Sequence, residues 1–254
     1  SSEVITQWVM SYLWVLFRIG SVMMTMPVIG TQLVPVRIRL FLAMAITAVI
    51  APHVPAAPII DVLSLGTWVL IAEQILIGAA MGFALQLLFQ IHVLAGQIIA
   101  MQMGLGFASM NDPSMGISVA VVAQVFTMLV TLLFLAMNGH LVVIEVMVES
   151  FNTLPIGETL VPNDFMALVL RFSWVMSAAL LVGLPAITAL LIVNLPFGVM
   201  MRAAPQLNIF SIGFPLTLVF GLFIMWVLLG SVGEQYQVVT TETLIWLRGL
   251  VGAD

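Results

Sequence analysis

Residues 62–103 read VLSLGTWVLIAEQILIGAAMGFALQLLFQIHVLAGQIIAMQM, from Val62 to Met103, with Glu73 as the one formal charge. As a single α-helix rising about 1.5 Å per residue, the run would measure roughly 63 Å, twice the ~30 Å hydrocarbon core of a bilayer. It cannot be one ordinary span. Either the chain turns back near Gly96, or a continuous helix runs beyond the hydrocarbon layer and is covered there by other protein. Both solutions belong to one class, a chain that satisfies its backbone polar groups within helices because lipid cannot.

The surrounding sequence agrees. Of 254 residues, 63% are hydrophobic and 7% charged, against roughly 25% charged in soluble domains, which excludes a water-soluble protein. Ile117–Met137 and Ile212–Val232 carry no charge, and Phe172–Val193 is interrupted only by the helix-bending pair Gly183 and Pro185. Each is long enough to cross a bilayer. Trp8–Ile29 is long enough too, but holds Arg18 near its middle, where a cation without a partner costs about 2.5–3.5 kcal/mol. This run exceeds the core of a signal peptide and lacks a basic leader, so it reads as retained. Leu40–Ile60, broken by Pro52, Pro55 and Pro58, reads as a short helix and an extended connection. Leu141–Val148, with Glu145, is too short to span and reads as interfacial or protein-covered. The arginine-bearing connections at Arg37, Arg39 and Arg202 are expected on the cytoplasmic side. No repeat divides the chain, so residues 1–254 are expected to form a single all-α membrane-type domain.

Composition also bounds the chemistry. Six arginines, no lysine and a net charge of −5 leave no basic patch for nucleic acid. There is no cysteine, and His53, His92 and His140 lack metal-ligand spacing. Neither a metal, a cofactor nor a catalytic residue is expected. The acids Glu145, Glu149, Glu158 and Asp164 read as a solvated face.

The informative residues are the polar ones within apolar runs, since each needs a partner or a wet cavity. Gly78, Gly82, Gln86 and Gln90 recur at four-residue spacing, and at 100° per residue Gln97 falls within about 20° of Gln86. This stripe is either helix-packing glue, with glycines allowing close approach, or the lining of a passage. Glu73 is either a proton site or the partner of an arginine such as Arg18. Residues 101–116, MQMGLGFASMNDPSMG, separate two apolar runs with three glycines, a proline and an Asn-Asp-Pro turn signal. The segment is either an ordinary loop or a movable seal, in which thioether side chains adapt to varied shapes and glycines leave the backbone free.

Three stretches carry a resemblance: residues 97–113, QIIAMQMGLGFASMNDP; residues 138–157, NGHLVVIEVMVESFNTLPIG; and residues 202–216, RAAPQLNIFSIGFPL. Together they resemble the FliR family of flagellar biosynthetic proteins, over essentially the whole chain. Leu141 departs from the pattern, since many members carry a second histidine there. The resemblance implies a non-enzymatic subunit of the flagellar type III export gate, built of membrane-type helical hairpins that form part of a helical pseudo-ring. It implies partners homologous to FliP, FliQ and FlhB, contact with membrane lipid, and unfolded proteins as cargo. The place implied is the bacterial inner membrane, within the flagellar basal body. Onto this sequence it maps a pore plug of Gly104, Leu105, Gly106, Phe107, Met110, Asn111, Asp112, Pro113, Met115 and Gly116. Arg202, Pro205, Gln206, Asn208 and Phe210 read as a connection at a subunit contact. Two other readings stand beside it. A small-solute secondary transporter would show paired interruptions in two related halves, and a virulence-type export subunit would share most of the physics.

Overall fold

The structure, a computed structural model, describes residues 2–55, 64–105, 121–158, 160, 162–203 and 209–252. Among these, seven α-helices account for most of the described residues: α1 Ser2–Thr25, α2 Val36–Ile50, α3 Leu65–Gln102, α4 Val121–Ala136, α5 Gly139–Thr153, α6 Pro162–Ala203 and α7 Ile209–Leu250. Five of them are long and apolar enough to cross a membrane, α2 being counted with the 3-10 turn Ala51–His53 that follows it; α4 with α5, taken as one broken span, would make a sixth. The break falls at Asn138, whose φ of 57° is left-handed, a region Asn tolerates better than other residues with a Cβ.

From Leu65 to Gln102 the long apolar run is one helix. α3 continues for 38 residues, about 57 Å at ideal rise, and does not turn at Gly96. That glycine serves packing: a Cβ there would come within 2.7 Å of the Ala123 Cα on α4. α6 and α7 each continue for 42 residues, well past the charge-free windows. Arg171 and Arg248, two of the charges they incorporate, are paired, so they need not end the helix. Arg171 of α6 reaches Glu242 of α7 at 4.0 Å and lies over the Trp246 ring, 4.9 Å from its centre. Arg248 of α7 donates to Glu149 at 3.0 Å and Glu145 at 3.4 Å on α5. These two acids, expected as a solvated face, therefore also hold a helix. α2 starts four residues before the expected Leu40, with Pro35 at its N-cap, and ends before Pro52 as expected, with Val54 extended beyond the turn; residues 56–60 of the expected connection lie outside the described residues. Arg37 and Arg39 fall within α2 rather than in a connection, and buried Arg39 donates to the carbonyls of Thr31 and Val34.

The chain forms two compact units. One comprises Ser1–Leu88, Phe134–Phe172 and Thr241–Asp254. Its core holds Ile19 and Val22 of α1, Ile77 and Met81 of α3, and Met147 and Phe151 of α5. Within it Arg18 is 0% exposed. Its Nε donates to Gln74 Oε1 at 2.8 Å, Nη1 to the Ser150 carbonyl at 2.7 Å, and Nη2 to the Leu154 carbonyl at 2.9 Å. The guanidinium also lies 4.3 Å from the centre of the Phe151 ring. Glu73 is not its partner; the neighbouring Gln74 is. A cation at the C-terminus of α5 meets the Leu154 carbonyl, beyond the last helical bond, and the negative end of the helix dipole.

The second unit comprises Phe89–Leu133 and Ser173–Thr240. Ile99, Ala100, Met103, Val122, Phe126, Ala186, Leu190 and Val232 form its buried cluster. Leu181, Ile192, Val219 and Trp226 point outward from α6 and α7, faces suited to lipid or to other apolar protein.

Candidate functional site

The root of the glycine- and methionine-rich segment lies in the second unit, where α3 ends. The last carbonyls of any helix lack partners within it, and here each has found one. Met103 N donates to the Ile99 carbonyl, Gly104 N to Met101 and Leu105 N to Ala100, each at 3.0 Å. The last two bonds are the Schellman pair, and they require a left-handed residue after the helix. Gly104 supplies it, with a φ of 82° that a side chain would strain. Leu105 completes the motif by packing against the Ile99–Ala100–Met103 cluster.

Two carbonyls remain, and other helices take them. Asn194 Nδ2 of α6 donates to the Gln102 carbonyl at 3.0 Å, and Thr217 Oγ1 of α7 to the Met103 carbonyl at 3.4 Å. The Met103 side chain lies against Gly221 of α7, where a Cβ would come within 2.5 Å of Met103 Cγ. Three helices, α3, α6 and α7, thus fix the point from which the segment departs. The described groups can hold or release a backbone, and among the described residues no His, Cys, Asp or Glu cluster could hold a metal.

Of the residues expected in the plug, Gly104 and Leu105 are at this root. Gly106, Phe107, Met110, Asn111, Asp112, Pro113, Met115 and Gly116 lie outside the described residues. Arg202 is exposed in the last turn of α6, and Phe210 falls in the first turn of α7. Pro205, Gln206 and Asn208 lie outside the described residues. Along the stripe, Gly78 and Gly82 admit α1: a Cβ at Gly78 would overlap Ser21 Oγ and the Arg18 carbonyl, and one at Gly82 would overlap Thr25 Oγ1. Gln86 Nε2 donates to the Thr25 carbonyl at 2.6 Å. Gln90 is exposed and Gln97 partly buried. The stripe's first three members therefore lie against α1.

Asn194, Thr217 and Gly221 were not singled out in the sequence. Asn194 left a signal, as a lone amide in an apolar run just before Pro196. Nothing local marks Thr217 or Gly221.

Long apolar helices, without a strand among the described residues, define an all-α membrane protein, and comparison with known proteins narrows the class to bacterial protein export. The sequence model described as "Bacterial export proteins, family 1" matches residues 9–243. The chain is 45% identical to the flagellar biosynthetic protein FliR of Escherichia coli (strain K12) over 228 residues, 89% of this chain and 86% of that protein. It is 40% identical to the protein of that name in Pectobacterium carotovorum subsp. carotovorum over 225 residues, 87% of this chain and 85% of that one. With the Aquifex aeolicus (strain VF5) protein of that name identity is 33% over 229 residues, 89% of this chain and 86% of that one. The chain belongs to the FliR family of bacterial export proteins.

Proposed function

We propose that this chain is a non-enzymatic core subunit of the flagellar type III protein export gate. It acts as one domain over residues 1–254, in the bacterial inner membrane at the flagellar basal body. With homologues of FliP and FliQ, and with an FlhB homologue beside them, it surrounds a closed pore for unfolded flagellar proteins. The segment beginning at Gly104 is the plug: adaptable thioether side chains seal against ions, and displacement of the segment admits a chain. Opening needs no covalent chemistry. Gln86, Gln90 and Gln97 contribute packing or pore lining, and the connection from Arg202 to Phe210 lies at a subunit contact.

The observation that carries this reading is the fully satisfied end of α3, which gives a compliant segment a fixed origin. A seal needs both properties. Leu105 packs into the core, so the part that moves begins after it, and a deletion should spare it. Removing Gly106–Met110 should leave recovery of the assembled complex unchanged and raise ion leak across membranes that contain it. An unchanged leak in a complex shown to be assembled would overturn the assignment.

A further inference from the structure

Gln102 is the last residue of α3, and among the described residues its carbonyl has no donor in its own chain segment. Met103, Gly104 and Leu105 spend their N–H groups on Ile99, Met101 and Ala100. The donor comes instead from Asn194, on a helix distant in sequence. That amide sits between Pro185 and Pro196, each of which lacks the N–H that would close a helical bond and leaves the carbonyl four residues earlier without that donor. The stretch carrying Asn194 is therefore bracketed by two weakened points of α6. Asn194 is partly buried, so a solvating group reaching it can compete for its amide. Thr217 makes a second and longer contact, to Met103, and Met103 is held besides by its own packing against Gly221.

We propose that Asn194 is the positioning residue of the plug: its amide is the releasable catch that holds the end of α3, and movement of the α6 stretch between its two prolines frees the origin of the segment. The proposal rests on reading the segment after Gly104 as a plug, and it adds what holds that plug closed. Interhelical hydrogen bonds in membrane proteins set the scale. Losing one raises the population of the loosened state roughly 3- to 20-fold. Thr217 contributes at the lower end of that range.

The absence of cysteine makes the test direct. Met101 is 71% exposed and one residue before Gln102, so a nitroxide on Met101→Cys reports the mobility of the root in the complex as purified with its partners. Asn194→Ala should increase label mobility and raise ion leak within the range above. Asn194→Gln, which keeps an amide, should restore much of both. Thr217→Val, close in shape without the hydroxyl, should give a smaller effect. An immobile root in assembled Asn194→Ala complex overturns the inference, whatever the leak. A loosened root with normal leak would leave the catch standing and refute the plug. If Asn194→Ala does not assemble, the Gln and Thr217→Val variants decide: label mobility equal to the parent in both, with Asn194→Asp also unchanged, overturns the inference.

Discussion

Replacing Arg18 with Met would remove a guanidinium from the interior of the first unit while nearly preserving side-chain volume. Two terms oppose each other. A buried cation costs several kcal/mol in lost hydration, and Met removes that cost. Against this, the acceptors that Arg18 now serves lose their donors. Leu154 O and Gln74 Oε1 would be left without one, whereas the Ser150 carbonyl keeps its bond from Leu154 N at 3.1 Å. Each buried orphan costs about 1–3 kcal/mol, and loss of the contact with Phe151 adds up to about 2 kcal/mol. The acceptors left behind are neutral, so the penalty stays below that of an unpaired ion, and we expect a net loss of about 2–4 kcal/mol. The assay is thermal unfolding of the detergent-solubilised complex, followed by tryptophan fluorescence, with buried Trp14 in the same unit as a reporter. Gln74→Leu alone strands part of a charge and should also destabilise. The pair together should cost less than the sum by about 1–3 kcal/mol, as expected for groups in contact. An Arg18→Met protein as stable as its parent, or strict additivity with Gln74→Leu, would refute the account.

Gly82→Val should separate α1 from α3, because even its first added carbon overlaps Thr25 Oγ1 and Cβ; overpacking of this kind costs about 1–3 kcal/mol, read as lower recovery of folded complex, while Val introduced at partly buried Gly233, where a Cβ meets nothing within 4 Å, should change recovery much less. Arg248→Gln, which removes the pairs to Glu149 and Glu145, should cost no more than about 1 kcal/mol because the groups are solvent-accessible. Raising salt should shrink the difference between Arg248→Gln and parent, and a difference that grows with salt would contradict the assignment.

The membrane class and most helices were legible because hydrophobicity and proline act locally. Pro35 and Pro52 bracket α2 in the sequence as they do in space. The far ends of α6 and α7 were not legible. The charge-free windows stop short of Arg171 and of Glu242, yet both residues lie within helices, where they pair with each other. The run through Gly96 could turn back there or continue as one helix, and the structure has the continuous helix, with Ala123 packed beside Gly96. At the site, Gly104 could be read as a flexible position, but Asn194 and Thr217 could not be assigned partners, since their bonds join residues 92 and 114 positions apart.

By itself the sequence determined that the chain is helical and lives in an apolar medium, and its three motifs determined the family. Those properties are set by neighbours along the chain: side chains that avoid water, backbones that must bond to themselves, and a glycine where a helix ends. Tertiary structure alone decided that α3 runs unbroken, that Arg18 chooses Gln74 over Glu73, and that two other helices complete the end of α3. Such choices depend on which distant groups arrive within about 3 Å of each other, and the order of residues does not record that distance.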